Sequence, residues 1–161
     1  MEIEMTIRGL MIDPITNMPI IVLRDSEGQR VLPIWVGVFE ANAIALQIES
    51  VQTPRPMTHD LLKSVIDGLA AAVDRIVVCD LRENTFYATI YLRAAGSLVA
   101  VDARPSDAIA LALRSSAPIF VEESVIAGAR DIDSSRDNMD VTRLRQWLEG
   151  LTEDELGKYK M

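Results

Sequence analysis

The chain has 161 residues, of which 49% are hydrophobic and 25% are charged. These values are typical of a folded domain and exclude a disordered or collagen-like chain. No stretch reaches the roughly 18–20 uninterrupted apolar residues of a transmembrane helix, so we expect no membrane-embedded segment. The formal net charge of −8 repels phosphate backbones at long range. Nucleic-acid binding would therefore need a local basic site or a bound divalent cation.

The N-terminal segment and the cysteine content indicate the compartment. The segment MEIEMTIRG is acidic and alternating, and it lacks the basic and apolar regions of a secretory signal. Cys79 is the only cysteine, so an internal disulfide is excluded and a reducing compartment fits. We therefore expect a cytoplasmic protein.

The N-terminal third predicts strands. Residues 2–13 alternate between apolar and polar side chains, which is typical of a half-buried strand. Residues 19–23 and 31–36 flank a polar turn and predict a hairpin. Pro33 cannot donate a backbone hydrogen bond, so it predicts an edge position or a bulge for the second strand of that hairpin.

Two helices are expected next, separated by a proline-containing loop. The first covers about residues 38–51, and the second follows Thr58 with apolar residues at helical spacing as far as Val73. Pro54 and Pro56 exclude a helix between them, because proline drives the preceding residue into extended geometry.

The following segment predicts a meander of strands at 76–81, 85–93 and 98–102, since the connections between them are short. A third helix begins at Pro105, and its apolar body predicts a buried helix. A short extended piece at 118–121 and a short helix at 122–129 follow.

The chain therefore predicts an α+β fold: a mixed, largely antiparallel sheet with interspersed helices, plus a short helical C-terminal appendage. We expect a domain at residues 1–130. Residues 131–161 would form a tail, with a polar linker over 130–140 and an amphipathic helix that must dock on its own domain or on a neighbouring subunit. The apolar stripe of that helix consists of Val141, Leu144, Trp147, Leu148 and Leu151.

Polar residues cluster at three places in apolar surroundings. The first cluster is Glu40, directly after an apolar strand end. A carboxylate in the first turn of a helix is favoured by the helix dipole, so Glu40 has a structural explanation as well as a role as a site carboxylate.

The second cluster contains Arg55, His59 and Asp60. As a functional group, His59 would be a general base or a metal ligand with Asp60 and Arg55 beside it. The structural alternative makes Thr58 the helix cap, Asp60 a complement to the dipole and His59 a surface histidine.

The third cluster contains Asp102, Arg104, Ser106 and Asp107 at the start of the third helix. Serine and aspartate are ordinary residues at helix starts. However, two carboxylates and a guanidinium next to a wholly apolar helix are costly to bury unless they pair. We expect Arg104 to bond Asp102 or Asp107, either as an internal clamp or facing a site.

These stretches resemble the bifunctional nuclease domain found in bacteria and plants. The matching segments are LPIWVGVFEANAIA at 32–45, RPMTHDLL at 55–62, FYATIYL at 86–92 and DARPSDAIALALR at 102–114. The resemblance covers about residues 1–130, and the second and fourth segments are its most specific parts. It implies an α+β domain that self-associates, in a family whose members degrade RNA and DNA without marked sequence preference. By position, its polar residues fall on Glu40, Arg55, His59, Asp60, Asp102, Arg104, Ser106 and Asp107.

The leading hypothesis is a metal-assisted phosphodiesterase. Asp102 and Asp107, with Glu40 as a third candidate ligand, would hold Mg²⁺ or Mn²⁺, since such a site needs only one or two carboxylates plus phosphate oxygens. His59, with Asp60, would activate the water or protonate the leaving oxygen. Arg55, Arg104 and Ser106 would bind the phosphate. The chain has no CxxC, HExxH or EF-hand pattern, so a closed structural zinc site is not expected.

Two rival hypotheses use the same residues without catalysis. One is an oligomeric ligand-binding or regulatory module, and the other binds a small anion without turnover. In all cases we expect a homo-oligomer, most simply a two-fold dimer. We also expect the three polar clusters to lie on one side of the sheet.

Overall fold

A computed structural model of the protein describes residues 1–135, with the side chains of residues 1–130. Seven strands form one sheet in the order β3-β2-β1-β7-β4-β5-β6. The strands are β1 (Glu2–Ile12), β2 (Pro19–Asp25), β3 (Val31–Trp35), β4 (Ala72–Arg82), β5 (Thr85–Ala94), β6 (Ser97–Ala103) and β7 (Ile119–Glu122). Five of the six strand pairs are antiparallel, and β4 and β7 run parallel. The predicted hairpin and the predicted meander are both confirmed.

Four helices are interspersed with these strands within the described residues. They are α1 (Val38–Ile48), α2 (Thr58–Gly68), α3 (Pro105–Ser115) and α4 (Glu123–Ser135). The predicted α+β class with a mixed, largely antiparallel sheet is therefore confirmed. No helix within residues 1–135 is long and apolar enough to cross a bilayer.

The edges of the sheet follow from its sequence. β3 carries Pro33 and is an edge strand, as its missing backbone N–H predicts. β6 forms the opposite edge, and its residues are exposed except for Ala103, which is half-buried.

The third helix is the centre of the core, as its apolar body predicts. Residues 108–112 of α3 are buried, with Ile109 and Leu111 fully inaccessible. α3 packs against β4 and β5 on one side and against α1 and α2 on the other. It therefore holds the first turns of two other helices close to its own.

Two sequence-based boundaries are wrong. α2 ends at Gly68 because Ala70 turns the chain with a left-handed backbone, φ 56°. Val73 consequently lies in β4 and pairs with Leu92 rather than continuing the helix.

The fourth helix is longer than predicted. It continues to Ser135, whereas the sequence predicted a helix ending at Ala129 and a polar linker from residue 130. The predicted domain boundary at residue 130 therefore lies inside α4. The predicted amphipathic helix at 141–151 and the last short helix lie outside the described residues.

Candidate functional site

The first turns of α1, α2 and α3 surround one cavity of about 720 Å³. The residues that precede these turns, Gly37, Met57 and Arg104, all have extended backbones, so each helix starts abruptly at the cavity. β5 and β6 complete the wall. Each helix N-terminus carries a partial positive charge, so three such ends make the cavity favourable to anions.

Arg104 joins two of these helix starts. Its Nε donates a hydrogen bond of 2.8 Å to Asp107 Oδ2, and its Nη2 donates one of 2.8 Å to Glu40 Oε1. These bonds to Asp107 and then Glu40 raise the pKa of Arg104, so the guanidinium stays charged. The expected pairing of Arg104 is therefore confirmed with Asp107. The Arg104 side chain is 65% exposed, so a ligand in the cavity can reach it.

Gly37 allows Glu40 to take this position. The Glu40 carboxylate folds back over the start of α1, where a Cβ on residue 37 would contact Glu40 Oε2. A residue with a side chain at position 37 would push the carboxylate aside. The glycine therefore belongs to the site although it carries no functional group.

His59 connects the second helix to the same network. Its Nε2 lies 2.9 Å from Asp107 Oδ1, and its side chain is only 10% exposed. The alternative of a surface histidine is wrong, because the His59 side chain is buried. Asp107 thus bonds His59 through one oxygen and Arg104 through the other, which gives a continuous chain from His59 through Asp107 and Arg104 to Glu40.

Asp60 makes contacts of a different kind. Its Oδ2 accepts the Met57 backbone N–H at 2.9 Å, and its Oδ1 accepts Arg114 Nε at 2.6 Å. The bond from the Met57 amide and then the bond from Arg114 lower the pKa of Asp60. Asp60, rather than Thr58, therefore accepts the hydrogen bond of the free backbone N–H group at the start of α2, that of Met57. It does not line the cavity.

Arg114 was not among the residues predicted from the sequence. Its side chain is 4% exposed, and besides Asp60 it bonds the carbonyl oxygens of Ala43 and Ala110, each at 3.0 Å. It thereby ties α1, α2 and α3 together. The sequence did contain an indication of this role. Arg114 lies seven residues after Asp107 and therefore on the same face of α3.

Three other predicted site residues lie less centrally. Asp102 lines the cavity, although its register opposite Thr89 places it on the other face of β6 from Val101. Ser106 is buried in the first turn of α3, and Arg55 is exposed in the loop before α2; neither lines the cavity.

The donor set fits a divalent cation poorly. Within the described part of the chain, no three histidine, cysteine or acidic residues are grouped as metal ligands would be. Arg104 lies between Glu40 and Asp107 and bonds both, so a positive charge already occupies the space between these two carboxylates. Asp102 lines the same cavity, but it lies opposite Thr89 and so on the other face of β6 from Val101.

The fold and the site together define an α+β domain whose helix starts carry a histidine, carboxylate and arginine network. A family model of the bifunctional nuclease domain matches residues 21–133. The chain belongs to that family.

Similar proteins from other organisms extend this result. An uncharacterised protein of Mycobacterium tuberculosis is 38% identical over 157 residues, covering 98% of this chain and 90% of that protein. Bifunctional nuclease 2 of Arabidopsis thaliana is 31% identical over 122 residues, which are 72% of this chain and 37% of the plant protein. Bifunctional nuclease 2 of rice is 30% identical over 124 residues, 73% and 38% of the two chains. This chain thus spans little more than a third of the plant relatives' length.

Proposed function

We propose that this protein hydrolyses phosphodiester bonds of RNA and DNA in the cavity between α1, α2 and α3. The observation that carries the proposal is the meeting of three helix N-termini with Arg104 and His59 at one cavity. Such a site offers positive potential to a phosphate and a histidine for proton transfer. The plant relatives, which are named bifunctional nucleases, support the same activity.

Arg104 is the phosphate-binding residue in this proposal. Its guanidinium is exposed and is held in place by Glu40 and Asp107, so it can turn its remaining N–H groups to a phosphate oxygen. The three helix starts add to this attraction. Together they compensate locally for the acidic balance of the whole chain.

His59 is the proton-transfer residue. Asp107 bonds its Nε2 and fixes the orientation of the ring, so that Nδ1 takes a proton from the water that attacks phosphorus. The P–O bond to the leaving nucleoside oxygen breaks in the same reaction, and that oxygen takes a proton from solvent. Asp60 and Arg114 stabilise the fold behind the site, since they fix the start of α2 to α3. Asp102, Arg55 and Ser106 have no role in the step proposed here.

In this proposal Arg104 neutralises the charge of the bound phosphate. No cation held by Glu40, Asp102 and Asp107 is needed for that role. The experiment is the cleavage of fluorescent RNA and DNA oligonucleotides by purified protein, with and without EDTA. We expect cleavage to persist in EDTA and His59→Ala to lower kcat by about 10²–10⁴-fold. Lys63→Ala is the matched control, because Lys63 pairs with Asp67 on the exposed side of the same helix.

Two results would contradict this mechanism. Cleavage that EDTA abolishes and Mg²⁺ or Mn²⁺ restores, with Arg104→Ala still active, would establish the metal-assisted mechanism instead. Wild-type protein that binds oligonucleotides but never cleaves them would establish the second candidate function, a non-enzymatic binding or regulatory module. That candidate is favoured by one observation, that Arg104 is already paired with both Glu40 and Asp107 in the free protein.

We also propose that two copies associate through the exposed edge of β6, in the cytoplasm. Leu98 and Val99 are exposed on a strand whose outer backbone groups could pair with a second β6. Light scattering should give twice the 17.8 kDa of one chain. Leu98→Lys should shift the mass towards that of a monomer, whereas Ile15→Lys, at an exposed apolar residue of the β1–β2 turn, should not. A wild-type monomer would contradict this proposal.

A further inference from the structure

The cavity has an apolar rim on its open side. Phe39 is 87% exposed and directly precedes Glu40 in the first turn of α1. Met57, Leu61 and Leu62 line the same cavity from α2, and each of them is exposed. The charged network and this rim therefore belong to one site, with an ionic wall and an apolar wall.

The fold does not account for Phe39. An aromatic ring with 87% of its surface exposed adds little to the stability of the core. Exposed apolar groups that are contiguous around a cavity mark a place where a ligand or a partner binds. The position of Phe39, one residue from a partner of Arg104, indicates a ligand that reaches the ionic wall as well.

We infer that the apolar rim binds an unpaired nucleobase next to the scissile phosphodiester, with Phe39 as the stacking platform, and that the substrate class is single-stranded RNA or DNA. This inference rests on the proposed function. A base attached to a phosphate at Arg104 would extend over the first turn of α1. The cavity volume of about 720 Å³ lies within the range of sites that take small organic ligands.

Charge supports a single strand over a duplex. The chain has a net charge of −8, so long-range attraction of the whole protein to a polyanion is weak. Binding then depends on contacts with the bases. In a duplex the flat faces of the bases are already stacked on neighbouring bases, whereas an unpaired base can stack one face on an aromatic side chain.

The experiment compares a fluorescent single strand with a blunt duplex of the same sequence, by anisotropy in a His59→Ala background that prevents turnover. We expect tighter binding of the single strand, and Phe39→Ala to raise its Kd about tenfold without changing that of the duplex. Phe39→Trp should restore binding. Ile15→Ala is the matched control, since Ile15 is also an exposed apolar residue but does not line the cavity.

An abasic oligonucleotide separates this inference from the proposed function. It keeps the phosphodiester and lacks the base, so wild type and Phe39→Ala should cleave it at the same rate. Absence of all cleavage would refute the proposed function while leaving the binding comparison valid. Equal binding of single strand and duplex, or an unchanged Kd in Phe39→Ala, would overturn the inference. A fall in oligomer mass in Phe39→Ala would also overturn it, by making the rim an interface between copies.

Discussion

Two polar contacts join α2 to α3, and they differ in what surrounds them. At the cavity, His59 contacts Asp107, which also holds the exposed Arg104. One residue further along α2, Asp60 bonds Arg114, whose side chain is 4% exposed. The first contact lines a cavity and the second lies behind it. Adjacent residues of one helix thus contribute to a site and to its support.

The difference is one of solvent access rather than of chemical type. A guanidinium that a ligand can reach is able to exchange a carboxylate for a phosphate, as Arg104 can. A guanidinium enclosed by protein, such as Arg114, cannot exchange its partners without leaving Asp60 and two carbonyl groups unsatisfied. Exposure therefore separates Arg104, which we propose binds phosphate, from the structural Arg114, although both lie on α3 or at its start.

The largest effect is expected from Arg114→Ala. It leaves Asp60 without its ion pair and removes the link between three helices, so we expect the free energy of unfolding to fall by about 3–4 kcal/mol. Urea denaturation followed by circular dichroism measures this. Arg104→Ala is the control, with an expected loss of less than about 1 kcal/mol, because exposed ion pairs contribute little. Equal losses in the two variants would mean that the contacts do not differ as argued.

Asp107→Asn tests the other contact between α2 and α3, that of His59 with Asp107. It removes the charge that orients His59 and Arg104, so we expect kcat for oligonucleotide cleavage to fall about 10²-fold, which corresponds to about 2.7 kcal/mol. The matched variant Asp60→Asn should lose stability and keep near wild-type turnover under conditions in which it remains folded. If Asp60→Asn lost activity to the same degree while folded, Asp60 would act in the reaction itself.

The sequence predicted the local features of this region well. Alternation predicted strands, Pro105 with the apolar run behind it predicted the buried α3, and Pro33 predicted an edge strand or a bulge. The pairing of Arg104 with Asp107 was predictable because these residues lie three apart, within one helical turn.

The long-range contacts could not be predicted in the same way. Glu40 and Arg104 are 64 residues apart, and Asp60 and Arg114 are 54 apart. Periodicity indicates which face of a helix is buried, but not which other helix covers it. The exposed Arg55 illustrates the limit: its place beside His59 in the sequence suggested a shared site, yet it does not line the cavity.

A smaller effect is expected from Gly37→Ala. The added methyl group would displace the Glu40 carboxylate and leave Arg104 with one of its two partners. Since an exposed ion pair contributes about 0.2–1 kcal/mol, we expect kcat to fall up to about fivefold, with an unfolding free energy close to that of the wild type. Gly68→Ala is the control, because a Cβ there meets no atom within 4 Å. Unchanged kinetics in Gly37→Ala would indicate that Glu40 does not orient Arg104.

The smallest effect concerns the pH dependence of the supporting contact. The Met57 amide and Arg114 hold the pKa of Asp60 below its ordinary value of 3.8. The unfolded chain therefore binds the proton more readily, so stability rises with pH across this interval. The contribution of Asp60 is fully present above pH 3.8 and is lost as the pH falls through the lower pKa of the folded protein.

The difference in unfolding free energy between wild type and Asp60→Asn should therefore be constant near neutral pH and shrink below pH 3.8. Urea denaturation at a series of pH values measures this difference. Asp67→Asn, on the exposed side of the same helix, provides the matched comparison, and a wild-type advantage over Asp60→Asn that persisted unchanged into strong acid would mean that the charge of Asp60 does not stabilise the start of α2.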